Sequence, residues 1–433
     1  MTQPFSVQNV LPSCPSQAEE SWRRTDPTSF FLPPEEVLTA GGAPVLGSVR
    51  GLVPWKVVQK TTTAPELLAA LQKNSAAFAP ESYAELVESA GGRIAVVLVR
   101  HGTAEVLTTA EFKATLDVTS GPFQASAVAP ASAIGEALAS RLAASTPQQL
   151  HLSLDAAASL QVPLVVVVIE SSPDFSQTYS NLKITVRQSS LAEILIAESG
   201  AHFAHHRHEI VVEPRAVVTQ LWAHLGSEQQ KEGVQLLERR VVVQAGGQFC
   251  DAQLFAPSGK VRAISNVLLQ GQGAFAKSGA AVAVTGNAVL DYEPIQEHKG
   301  PGATSALKVK MLLAGRARGI FQGLIVVDRV AQKTNAVQEN KNLLLSKRAR
   351  IDALPRLQIL PDDVSCKHGS ATGEIDGKQM YYLRTRGFSD DQARRLIVHG
   401  FVADGFATLH PESALFQFAD TNLHASLSAV LKA

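Results

Sequence analysis

Cysteine is scarce: Cys14, Cys250 and Cys366 are the only three in 433 residues. Far apart and odd in number, they argue against a disulfide framework and for a reducing compartment. No CxxC or CxxxxCxxC spacing occurs, so no stretch reads as a permanent zinc or cluster holder. Charge of one sign is also lacking, since 39 Lys and Arg balance 39 Asp and Glu. No overall field therefore draws the chain to nucleic acid or to an anionic membrane. The local run Lys347-Arg348-x-Arg350 reads as solvated surface. No apolar run approaches the roughly 20 residues of a membrane-spanning helix. A charged-then-apolar leader is missing, and Glu19-Glu20 sit badly in a transit peptide, so a cytoplasmic protein is expected. Phosphate-loop, GxSxG and HExxH motifs are absent, which leaves no equipment for a self-sufficient ATPase, serine hydrolase or zinc protease.

What is present is Ala, Val and Leu in quantity, with few aromatics, which suits a thin, regular core. Three regions are expected. Residues 1–146 read as a partly helical N-terminal α/β region, with helical spacing over 17–22, 64–72, 80–88 and 133–144. From 147 to 376 short β-type runs recur between glycine and Asp/Asn/Ser turns, as in a sandwich, barrel, propeller or β-solenoid. Residues 164–169 and 324–327 are too apolar for half-exposed hairpins and favour parallel strands covered on both faces. Asn335, Asn340 and Asn342 are expected at turns, as rungs of an amide ladder. Residues 377–433 read as a helical domain. Ser389-Asp390-Asp391-Gln392 has capping-box spacing; Ala393, Leu396, Ile397, Gly400 and Phe401 then share a face, and Pro411-Glu412 start a second helix. These helices either cap the open end of the strand stack or present a docking face.

The stretch 354–386 organises the rest. It predicts strands over 356–360 and 363–368, parted by Pro361-Asp362, with Gly369 and Gly373 ending the second. Alternation places Val364, Cys366 and His368 on one face. The order Asp362-Asp363-Val364-x-Cys366-x-His368-Gly369-x-x-x-Gly373-x-Ile375-Asp376, followed by Tyr382-Leu383-Arg384-x-Arg386-Gly387, resembles the signature of the SufD scaffold family. Its members are subunits of the SUF iron–sulfur cluster assembly machinery. The run Ala331-Gln332-Lys333-Thr334-Asn335…Gln338…Asn340…Asn342-Leu343-Leu344-Leu345-Ser346 is similar to the same family. So are Asp291…His298-x-x-Pro301-x-x-x-Ser305 ahead of Gly319-Ile320-Phe321-x-Gly323, and the N-terminal Trp22-Arg23-x-Thr25-Asp26.

The resemblance implies a mainly β fold, a right-handed parallel β-helix core with helical regions at both ends. At ~20–25 residues per coil and ~4.8 Å per rung, it would form about ten coils over ~45 Å. It also implies a non-ATPase scaffold that pairs with a SufB-like scaffold through its last strand, at Val364, Cys366 and His368. A SufC-like ABC-type ATPase would dock on the C-terminal helices, with Leu396, Ile397 and Phe401 in that contact or in packing. No cofactor is expected to be held permanently. His368 is the expected ligand to iron or a nascent cluster at the join, while Cys366 is left open as ligand, sulfur relay or packed thiol. A homodimer of the isolated chain and a reduced flavin in the complex also stay open.

Competing readings rest on single features. Arg100-His101-Gly102 after an apolar strand is similar to the phosphohistidine motif of histidine phosphatases, yet nearly a hundred residues precede it and no α/β alternation follows. A β-helix could also be a polysaccharide lyase or hydrolase, though most of those are secreted. His202, His205, His206 and His208 have the imidazole density of a metal site but no carboxylate or cysteine at useful spacing, so a solvated turn is expected. Cys250 is expected on a strand as a small apolar residue.

Overall fold

The structure, a computed structural model, describes residues 56–73, 77–100, 103–122, 148–157, 161–169, 177–199, 203–226 and 233–431. The helices expected at 17–22 and 133–144, Cys14, the Trp22 motif, His101 and His202 lie outside them.

Chain order opens with β1 (Lys56–Thr61), α1 (Ala64–Lys73), α2 (Pro80–Ala90), β2 (Ile94–Arg100), β3 (Thr103–Thr108) and β4 (Thr115–Pro122). Next come β5 (Gln148–Asp155), β6 (Leu164–Ile169), β7 (Gln177–Val186), β8 (Leu191–Ser199), β9 (Phe203–Val212) and β10 (Val217–Leu225). The middle holds β11 (Val234–Val243), β12 (Gln248–Ala256), β13 (Lys260–Leu269), β14 (Phe275–Val284), β15 (Val289–His298) and β16 (Thr304–Leu313). Then follow β17 (Arg318–Phe321), β18 (Leu324–Val327), β19 (Asn335–Leu344), β20 (Arg350–Ala353), β21 (Arg356–Ile359) and β22 (Ser365–Gly373). Three helices, α3 (Gly377–Thr385), α4 (Asp390–Ala403) and α5 (Ala414–Val430), end the chain.

From β5 to β17 successive strands alternate between two sheets. Sheet I runs β1-β3-β2-β6-β8-β10-β12-β14-β16-β19-β22, and sheet II runs β20-β17-β15-β13-β11-β9-β7-β5-β4, with β18 and β21 extending it beside β15. Pairing is antiparallel at β2–β3 and β4–β5 and parallel along the stack that follows. The result is a parallel β-solenoid of about 7 turns, not ten. Val217 pairs with Gln248, Gln248 with Phe275, Phe275 with Thr304 and Thr304 with Asn335, so each turn consumes roughly 30 residues. The shortfall has a simple cause: a flattened turn built from two strands of nine or ten residues holds more chain than a coil of short strands.

One corner repeats with each turn. Ser189, Arg215, Gly246, Gly273, Gly302 and Lys333 all have φ between 59 and 65°. Each donates its backbone N–H to a carbonyl of the next turn, as from Arg215 to Ala245 and from Gly246 to Gln272. This left-handed conformation costs an L side chain roughly 1–2 kcal/mol, which is why glycine takes half of these places. Arg215→Gly is therefore expected to raise the unfolding free energy by about 0.5–1 kcal/mol, the relief being partly offset by the freer unfolded chain. A urea midpoint that fails to rise would count against a strained corner.

Inward side chains fill the space between the sheets, with Trp222, Phe255, Tyr292 and Phe321 in ring contact along the axis at 5.2, 5.5 and 6.5 Å. The outer face of sheet I, through Leu221, Leu254 and Leu312, packs against Phe406, Phe418 and other residues of the C-terminal helices. β6 is buried along its whole length, with Val165, Val167 and Ile169 in the inner cluster and Leu164, Val166 and Val168 in the outer one. The C-terminal helices thus fold back along the flank instead of capping the end of the stack. Phe78 and Tyr83 of the N-terminal region close on Phe418 of α5 at 5.6 and 5.2 Å, tying both helical regions to one face.

The capping box on α4 forms as expected from Ser389 and Gln392, whereas α5 starts at Ala414 with Ser413 as its cap, not at Pro411. The apolar run expected over 324–327 forms β18, separated from β17 at Gln322-Gly323, and no strand was expected by number at β10 or β15.

Candidate functional site

β22 is the last strand of sheet I, and its only strand partner among the described residues is β19. It continues through Gly369 to Gly373 instead of stopping at the first glycine. The register stacks Cys366 on Ala336, His368 on Gln338, Ser370 on Asn340 and Thr372 on Asn342. All four of these β22 residues occupy the inward column: the same column holds Ser305 and Leu307 one turn further back. His368, Ser370 and Thr372 are nevertheless exposed and Cys366 only half-buried, because no further turn covers them among the described residues. Leu357 and Ile359, which continue the inward positions of Ile325 and Val327, are likewise exposed. Core positions open to solvent identify an unfinished end.

The side chains at this rim differ in how firmly they are held. Val364 and Cys366 pack against Ile325, Val327, Ala331 and Ala336. Burial pushes the Cys366 thiol above its ordinary value, with a backbone hydrogen bond at Ala336 pulling the other way. It is therefore a protonated thiol at neutral pH, and binding metal would require losing that proton. Asn340 and Asn342, on a strand and not at the turns expected, donate to each other at 3.0 and 2.8 Å. Ser370 Oγ donates to Asn340 Oδ1 at 3.0 Å, and Asn342 Nδ2 donates to Thr372 Oγ1 at 3.2 Å. His368 stands exposed on this braced strand.

The second predicted surface, Leu396, Ile397 and Phe401, lies on α4, next to α3. No residue of α3 is buried, and Tyr381 and Tyr382 are exposed. Lys378, Gln379, Tyr382, Leu383 and Ile397 line a shallow groove. Leu396 is 50% exposed, and Ile397 is half-buried at the groove. Phe401 instead packs towards the solenoid, where the Lys310 ammonium lies 5.3 Å from its ring centre. Arg100 belongs to β2, but the rest of the phosphatase-like motif is outside the described residues.

The histidine cluster is the largest departure from expectation. His205, His206 and His208 lie on β9 and are buried, not in a solvated turn. His206 and His208 point inward, where His206 Nδ1 contacts Ser180 Oγ at 2.6 Å and His208 Nε2 meets Glu198 Oε1 at 2.8 Å. His224 adds a 3.7 Å contact to the other Glu198 oxygen. The pattern was legible as alternation, since His206, His208, Ile210 and Val212 are every second residue, but their partners come from other strands. Burial alone would raise the Glu198 carboxyl; its neighbours His208, His224 and His206 outweigh that and hold it well below the usual range. Among the described residues no group of three or more His, Cys, Asp or Glu side chains could hold a metal ion. Cys250 lies on β12, half-buried, with its thiol pushed up by burial and by Asp251.

Burial lowers His206 and His298 from 6.5 to about 4. Folding therefore opposes protonation of both rings. Between about pH 6.5 and 4 the unfolded chain binds protons that the folded chain does not. Stability is complete above that window and falls as pH drops through it, by on the order of 3 kcal/mol per ring at the acid limit. Urea midpoints at pH 7.5, 5.5 and 4 should decline steadily, and His206→Gln with His298→Gln should flatten the decline. A pH-independent midpoint would refute the assignment.

Residues 167–401 match the family described as SUF system FeS cluster assembly, SufBD core domain. The chain is 37% identical over 126 residues to the iron-sulfur cluster assembly protein SufD of Escherichia coli, covering 29% of this chain and 30% of that protein. It is 33% identical over 135 residues to SufD of Bacillus subtilis, 31% of each chain. An iron-sulfur cluster assembly SufBD family protein of Mycobacterium leprae is 28% identical over 262 residues, 57% of this chain and 64% of that one. The matched stretches thus span between 30% and 64% of these relatives' lengths.

Proposed function

Because the chain belongs to the SufBD family of SUF iron–sulfur cluster assembly proteins, we propose that it pairs with a second, SufB-like scaffold across the open rung. His368 would be a ligand contributed to iron or a nascent cluster at that join. The observation that carries this reading is the exposure of core-column residues on β22 and β21. A second solenoid stacked there would bury Leu357 and Ile359 and supply the missing hydrogen bonds of the β22 edge. Iron or a cluster is the cargo and not a resident group. With no complete ligand set among the described residues, the remaining ligands would come from the partner scaffold. A neutral imidazole among thiolates suits Fe(II) and favours later release of the cluster. Cys366, half-buried against Ile325, Val327, Ala331 and Ala336, is left as ligand, sulfur relay or packed thiol.

A SufC-like ATPase is proposed to dock on the α3–α4 surface, where Leu396, Tyr381 and Tyr382 are free to be covered. ATP hydrolysis would then belong to that partner. Coexpression with both partners tests the scheme: His368→Ala should lower cluster formation on the complex at least tenfold while leaving subunit stoichiometry unchanged. Normal cluster formation on an intact complex would remove His368 from the ligand set.

A further inference from the structure

Gln338, beneath His368 in the register of β19 and β22, is 1% exposed, and neither its Oε1 nor its Nε2 has a hydrogen-bond partner. Native interiors rarely leave a carboxamide unpaired at both ends, so such a group calls for a partner. The neighbouring inward steps have theirs: Ser370 bonds Asn340, Thr372 bonds Asn342, and Cys366 and Ala336 share one apolar cluster. The remaining step sets an unpaired carboxamide under an exposed imidazole that has no hydrogen-bond or ion-pair partner among the described residues.

The backbone opposite leaves room for this carboxamide. At Gly323, between β17 and β18, a Cβ would stand 2.3 Å from Gln338 Nε2 and 2.6 Å from the Phe321 ring. The break in sheet II therefore accommodates the glutamine. Adjacent strands are ~4.8 Å apart, within reach of a glutamine side chain turning towards the next rung. An imidazole that presents one nitrogen to a metal needs its other N–H held by an acceptor, which fixes the tautomer and the ring plane.

We infer that Gln338 is a positioning residue for His368: its side chain turns from Gly323 towards the open rung, where its Oε1 accepts the Nδ1–H of the ring, leaving Nε2 unprotonated and facing out towards incoming iron. The inference deepens the reading of His368 as a ligand and rests on it for its purpose, but the hydrogen bond itself can be tested without iron.

The test uses the full-length chain with 15N-labelled histidine, the His368 ring signals being identified by their loss in His368→Ala. The starting protein should show the Nδ1–H tautomer as the major neutral form. Gln338→Met keeps the length and removes the acceptor, so the ring should revert mainly to Nε2–H. Gln338→Glu should move the midpoint of the His368 titration up by about one pH unit. Asn342→Ala, on the same strand but under Thr372, should change neither reading. An unchanged tautomer and an unchanged midpoint in both Gln338 variants would overturn the inference. Should Gln338→Met fail to fold, the midpoint in Gln338→Glu decides alone. If the Gln338 variants move the ring but His368→Ala leaves cluster formation intact, the ligand reading falls while the positioning contact stands.

Discussion

Asp251→Ala is expected to lower the unfolding free energy by about 3–5 kcal/mol, the cost of leaving a buried guanidinium without its counterion. Asp251 and Arg239 are both fully buried inside the solenoid, joined at 2.7 Å. Gln253 Nε2 donates to the same carboxylate at 3.0 Å, and Ser278 Oγ donates to its other oxygen. Arg239 also donates to Gln220 and Ser265 at 2.9 and 2.8 Å and lies over the Trp222 ring. One truncation therefore strips the charge balance from a network spanning several strands. The companion result separates charge from packing. Replacing the pair together, Arg239→Met with Asp251→Leu, should recover more than half of the loss, because no charge is then left unpaired in the interior. Chemical denaturation of the three variants measures both effects. A loss under 1 kcal/mol in Asp251→Ala would mean that water reaches the network.

Gly279→Val should release the C-terminal helices from the solenoid and cost about 3 kcal/mol or more. A Cβ at Gly279 would lie 2.2 Å from the backbone oxygen of Gly405, and one at Gly405 would lie 2.5 Å from the oxygen of Ala280. Both obstacles are backbone, so no side-chain rotation can relieve them, and overpacking of this kind sits at the upper end of its usual cost. Nearby, Asp404 accepts from Lys310 and Lys308 at 2.8 and 3.1 Å. These partly exposed ion pairs are too weak to hold the helices once the backbone contact is lost. Limited proteolysis should then cut within α4 and α5 in Gly279→Val but not in Gly369→Val. At Gly369, on the exposed last strand, a Cβ meets nothing within 4 Å. Equal protease resistance in the two variants would show that the helices are anchored elsewhere.

Why some elements escaped the sequence reading is visible in particular residues. β15 carries charges and Pro294 in its centre, which argue against a middle strand. Pro294 is tolerated because it lies opposite the gap between β17 and β18, after Tyr292 has paired with Phe321 and before Ile295 pairs with Leu324. His206 and His208 looked like turn residues because their partners Ser180, Glu198 and His224 reach them from other strands. The faces of β22 were legible because alternation is local: Val364 and Cys366 pack inward together, with His368 two residues on. Gln338 stood in the family-like run, but its place under His368 and its unpaired carboxamide emerged only from the structure, since nothing local marks a glutamine as unpaired.

By itself the sequence determined the class of fold, the family, and the order of residues along the final strand. Each of these depends on the identity of near neighbours or on a period of two. Only the tertiary structure decided the number of turns, the polar network inside the solenoid, the flank that the C-terminal helices cover, and the exposure of the last rung. These depend on contacts between residues a full turn or more apart, and the length of a turn is set by how two long strands close on each other, a balance that no short window of sequence contains.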